Sequence, residues 1–251
     1  MGDAQAVGKI LKSKYGFRTV VLANASRAKT LASLNSLRKR LKPQDNLIIY
    51  YAGHGELQGD RGFWLPADAS ATDKSTWISN EQITNFIESM SAKHVLVVAD
   101  SCYSGTLSRL SIPLPVTSTS SRTREWFNTV AKTKVRVVMS SGGVKPVLDS
   151  GGGRHSVFAS ALLKALRSGK SVVEGAGLYQ ALRGQVRTKS NALGAKPVYA
   201  PIKYAGHEAG DFIFLQGGRV ASVDPYESPD KKDEQGKVLV AWRELYSEGE
   251  V

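Results

Sequence analysis

The run Asn46-Leu47-Ile48-Ile49-Tyr50-Tyr51-Ala52 decides how the chain folds. It is continuously apolar after Asn46, without the alternation of a strand that has one wet face. Such runs are typical of parallel strands covered by helices on both sides. Lys93-His94-Val95-Leu96-Val97-Val98-Ala99 repeats the pattern, and Val135 to Met139 repeats it again.

Helical periodicity separates these strands. Upstream, Ala4, Val7, Ile10 and Leu11 share one helical face, and Tyr15-Gly16 ends that helix. Arg18 to Leu22 is a short β-branched strand. Ser26 is placed to cap a second helix, with Leu31, Leu34, Leu37 and Leu41 at helical spacing before Pro43. Residues 53–77 read as loop and Glu81 to Met90 as helix. Downstream, Thr123 to Lys132, Val157 to Leu166 and residues 174–189 read as helices. Val198 to Lys203 is extended, and Asp211 to Leu215 is a last short strand. The alternation predicts an α/β/α sandwich with a mostly parallel central sheet.

Composition excludes several classes. The chain has 251 residues, ample for one core without staples, and a single cysteine, which rules out an internal disulfide framework or a Cys-rich zinc site. No apolar run reaches the roughly 20 residues of a membrane span, and the N-terminus lacks a signal-peptide core. The expectation is a soluble, cytoplasmic protein. The net charge of +12 is unevenly spread: residues 219–251 hold 5 basic and 8 acidic residues, net −3, leaving +15 on the rest. Those basic residues are mostly scattered and never interleave with aromatics, so no specific nucleic-acid binding is expected. The expected domains are a catalytic unit over 1–217 and a charged tail or extension over 218–251.

Open α/β sheets carry their sites just beyond the carboxyl ends of strands. One strand runs into Gly53-His54-Gly55-Glu56, another into Asp100-Ser101-Cys102-Tyr103-Ser104-Gly105. Parallel neighbours bring His54 and the only cysteine to one edge. Beside an imidazole, a thiol can become the thiolate that attacks a carbonyl. The flanking glycines let backbone approach a substrate, and the N–H groups of Gly55 and Cys102 are the candidate oxyanion donors.

YYAGHG and DSCYSG resemble the histidine and cysteine motifs of caspase-like cysteine peptidases, in particular bacterial caspase homologues and metacaspases. Phe63-Trp64-Leu65-Pro66-Ala67-Asp68, Trp77-Ile78-Ser79-Asn80, Ser140-Ser141-Gly142-Gly143 with Pro146, and Ala205-Gly206-His207-Glu208 with Gly210-Asp211-Phe212 extend the resemblance over roughly residues 3–216. In that family the histidine precedes the cysteine by about 50 residues; here the interval is 48. The resemblance implies a cysteine endopeptidase acting on protein or peptide substrates, with His54 as general base and acid and Cys102 as nucleophile. It implies no obligatory third catalytic residue. Caspases lack an acid two residues before the cysteine, whereas metacaspases, like this chain, have one: Asp100. A carboxylate there would pair with arginine or lysine, which predicts cleavage after basic residues, with Asp149 as a second pocket acid. Arg109, Arg122 and Arg124 are then candidate self-cleavage points. A catalytically silent scaffold that binds protein partners is the alternative.

Other signals are weaker. His207-Glu208 with Asp211 lacks metal-ligand spacing, and no acidic cluster matches the calcium site of some metacaspases, so no metal or cofactor is expected. His94 reads as structural, and His155 as a candidate to approach the site. Finally, the family's domain opens with an apolar strand inside the sheet, but this chain begins at Met1-Gly2-Asp3, already in the helix. Three resolutions present themselves: a fragment or mis-assigned start, which the sequence favours; a sheet that has closed up; or Lys237 to Trp242 filling the gap.

Overall fold

The computed structural model describes residues 2–101, 104–108, 129–130, 132–142, 155–168, 172–189, 197–216 and 237–244. Its centre is a six-stranded sheet in the order β1 (Arg18–Ala23), β11 (Lys237–Glu244), β2 (Asp45–Ala52), β6 (His94–Asp100), β7 (Val135–Ser140) and β9 (Val198–Pro201). β2, β6 and β7 run parallel, and β1 shares their direction because β11 is antiparallel to both of its neighbours. β9 runs antiparallel at the far edge.

The apolar strands are buried because helices cover both faces. Ile48, Tyr50, Leu96, Val98, Val137 and Met139 pack with α1 (Asp3–Tyr15), α4 (Val157–Ser168) and α5 (Gly175–Lys189). Leu47, Ile49, Tyr51, Val95, Val97 and Val138 pack on the other side with α2 (Arg27–Arg40) and α3 (Asn80–Glu88). One strand thus feeds two cores, which is why its sequence shows no alternation. Helix ends follow local chemistry. Gly16 closes α1 in the left-handed region at φ 69°, and Ser26 Oγ accepts from Lys29 N at 3.2 Å at the start of α2. Ser79 and Gln82 form a reciprocal capping box on α3. No helix among the described residues is long and apolar enough to cross a membrane.

Two readings change. Residues 53–77 are not all loop: β3 (Gly55–Gln58) and β4 (Arg61–Trp64) form a hairpin that β5 (Ile78–Ser79) extends. β8 (Val172–Glu174) pairs with β10 (Ile213–Leu215) in a two-stranded ribbon. These strands are too short for periodicity to register. Within 218–251, read as a charged tail or extension, residues 237–244 lie inside the central sheet. They fill the interior place between β1 and β2, the third of the three resolutions above. Most of the helix expected at 123–132 lies outside the described residues.

Candidate active site

β2 and β6 are in parallel register with Ala52 opposite Asp100. His54 and Cys102 each follow that pair by two residues in sequence. His54 is described and exposed; Cys102 lies outside the described residues, as do Asp149, Arg109, Arg122 and Arg124.

The histidine loop is held from beneath. Tyr51 is buried against Trp64, the rings stacked with centroids 4.3 Å apart. Its hydroxyl donates to His54 O at 2.6 Å and accepts from Leu65 N at 3.1 Å. Leu65 N also donates to His54 O at 3.0 Å. That bond makes His54 and Leu65 the hydrogen-bonded pair of the ladder, so the adjoining Gly55–Trp64 pair is of the other type. The Gly55 N–H therefore points away from β4. Gly53 has a separate role, since a Cβ there would lie 2.7 Å from the Tyr51 hydroxyl. The motif thus needs glycine at 53 to make room for the tyrosine ring.

The chain beyond Cys102 is pinned to the rest of the fold. Asn80 Nδ2 donates to Thr106 Oγ1 at 2.6 Å, Lys203 N donates to Leu107 O at 3.0 Å, and Ser108 bridges to Ile202.

Asp100 ends β6 inside a polar network. Its Oδ2 accepts from Ser156 Oγ at 2.5 Å and from Tyr50 OH at 3.3 Å. Ser156 Oγ also caps α4 by accepting from Ala159 N at 2.9 Å, and Ser156 N donates to Asp3 Oδ2 at 3.2 Å. His155 Nδ1 donates to Asp3 Oδ1 at 2.6 Å. Burial lifts the Asp100 carboxyl from 3.8 to about 6; the Ser156 hydroxyl opposes the rise and the charge of Asp3 adds to it. Burial and the nearby Asp100 charge push the Tyr50 hydroxyl well above its ordinary value. Among the described residues, no cation bonds this carboxylate.

Sequence reasoning missed four of these residues. Asp3 carries only the signal of an acid in a first helical turn, Ser156 only that of a helix cap, and Tyr50 and Tyr51 belong to an apolar strand. His155 meets Asp3. The remaining candidates serve the fold. His94 is buried with Nε2 2.9 Å from Val130 O, and burial lowers its pKa. His207 Nδ1 accepts from Arg136 N at 3.1 Å, Glu208 from Lys134 N at 2.9 Å, and Asp211 from Tyr199 OH and Ala176 N. Their side chains thus serve separate structural contacts.

Three layers around a mostly parallel sheet, with a histidine loop at the carboxyl edge beside the strand that leads to the cysteine, define a caspase-like α/β fold. The chain belongs to the caspase domain family, whose model matches residues 1–204. That family is one of cysteine peptidases, which act on protein substrates. Among solved structures, caspase-1 from Spodoptera frugiperda superposes with a TM-score of 0.54 at 15% identity, covering 80% of this chain and 77% of that one. No curated protein matches the chain in sequence.

Proposed function

We propose that the chain is a cysteine endopeptidase working through a His54–Cys102 dyad and cleaving after arginine or lysine. The observation that carries this reading is the parallel register of Ala52 with Asp100, from which both loops leave one sheet edge. His54 takes the thiol proton, and the sulfur adds to the scissile carbonyl carbon. The N–H groups of Gly55 and Cys102 receive the resulting oxyanion; support for this role is the Gly55 N–H turned away from its hairpin partner. The imidazolium then protonates the departing amine, leaving a thioester. Water attacks the thioester with His54 again as base, releasing the carboxylic acid and restoring the thiol.

Asp100 supplies the specificity. A buried carboxylate whose pKa is raised gains most from a guanidinium or ammonium, and Asp3 adds negative charge beside it. Asp149 is proposed as a second acid of the same pocket. A peptidyl-arginine electrophile tests the reading: it should alkylate Cys102, detected by mass, and His54→Ala should abolish the reaction. Equal labelling by the aspartate analogue would sink the specificity. Labelling indifferent to His54→Ala would sink the dyad, and no labelling at all would favour a silent, partner-binding scaffold.

A further inference from the structure

β11 occupies an unusual place, because the last strand among the described residues lies inside the sheet. β1, α2 and β2 form a crossover whose two parallel strands leave a gap one strand wide. Neighbouring strands stand about 4.8 Å apart, so β1 and β2 are roughly 10 Å apart and cannot bond each other. β11 fills the gap antiparallel to both walls, with Val240 opposite Val20 and Ile49, and Leu239 opposite Val21 and Tyr50.

Both walls are anchored without it. β2 is bonded along its length to β6. On the other side, α1, which leads into β1, is clamped to the α4 region: Tyr15 OH and Lys14 Nζ donate to Leu166 O at 2.8 and 2.9 Å, and Asp3 holds His155. The end of β1 is tied down by Ala67 N donating to Ala25 O at 3.1 Å and Arg27 N to Asp68 Oδ1 at 2.7 Å. A slot whose walls have independent supports outlasts its occupant. The occupant, in turn, is joined to β10 through residues 216–236, a stretch with Gly217, Gly218, Pro225, Pro229 and Gly236.

We infer that the gap between β1 and β2 is a strand-docking site and that residues 237–244 are its exchangeable occupant, held in place chiefly by the covalent connection. Once the connection is cut, the slot takes the same segment from solution. A tether of this kind supplies an effective concentration of about 1 mM, so at 1 μM cut protein the strand re-docks about 1,000-fold less readily. Because β2 carries His54 at its end, emptying the slot also loosens the histidine loop, a consequence that rests on the proposed catalytic role of His54.

The test uses the full chain with a site-specific protease sequence replacing residues 221–227. After cutting, a fluorescent peptide spanning 235–246 is added and its anisotropy followed, with hydrogen exchange read in parallel. The expected result is uptake by the cut chain and none by the uncut chain. Amide protection of residues 18–23 and 45–52 should fall when the strand is diluted away and return with excess peptide. A peptide carrying Val240→Pro, which lacks a ladder N–H, should restore nothing. In the uncut chain, Val240→Pro should lower protection in those two segments while 94–100 and 135–140 stay protected. Unchanged protection in β1 and β2 would mean the strand is not docked there. Loss of protection across β6 and β7 as well, or a cut chain that takes up no peptide, would mean the strand is integral and overturn the inference. None of these readouts depends on peptidase activity.

Discussion

Asp100→Asn separates folding from catalysis in this site. In the folded chain the carboxyl titrates at about 6 rather than 3.8, chiefly because burial penalises its charge. The folded state therefore holds the proton more tightly than the unfolded one. Stability from this group is fully present below pH 3.8 and is lost as pH rises toward about 6. At about 1.4 kcal/mol per pH unit between the two values, the loss approaches 3 kcal/mol. Partial solvent contact of Asp100 makes that an upper bound. Asparagine keeps an acceptor for Ser156 Oγ and carries no charge, so the variant should match the parent near pH 4 and exceed it at pH 7. Urea unfolding midpoints at pH 4, 5, 6 and 7 measure the gap. The same variant should lose about 10- to 100-fold in kcat/KM on peptidyl-arginine substrates, the worth of charge-assisted hydrogen bonds. A variant less stable than its parent at pH 7, or a gap that ignores pH, would refute the claim that Asp100 carries an uncompensated buried charge. Unchanged kcat/KM would remove it from the specificity pocket.

Two further substitutions probe the histidine loop. Tyr51→Phe removes the hydroxyl that bonds His54 O and Leu65 N; thermal unfolding should show a loss of about 1–2 kcal/mol, and kcat should fall with KM little changed. Gly53→Ala sets a methyl 2.7 Å from that hydroxyl. It should impair activity at least as much as Tyr51→Phe, and Tyr51→Phe should not rescue it, because the ring carbon that stays in phenylalanine still lies 2.8 Å from the added methyl.

Much of the architecture is legible in the chain because each apolar run reports its own burial. Asn46–Ala52 and Lys93–Ala99 need no partner sequence to read as doubly covered strands, and the loops that follow them contain His54 and the chain's single cysteine. The hairpin at 55–64 escaped because four-residue strands carry too few turns of pattern. The network around Asp100 escaped for a different reason: Asp3, Asp100, and His155 with Ser156 lie on three separate elements, and no local spacing records that they meet.

The sequence by itself determined the layered α/β class, the strand ends that bear His54 and lead to Cys102, and the membership signalled by YYAGHG and DSCYSG. Local periodicity and motif chemistry suffice for these. Only the tertiary structure decided the state of Asp100, because a pKa depends on what surrounds a carboxyl, and the purpose of Gly53, because the ring it makes room for must first fold back over it. Tertiary structure also decided the place of Lys237–Glu244. An eight-residue strand in a charged stretch looks like a tail until a sheet offers it two open edges, and which edges are open is a property of the whole fold.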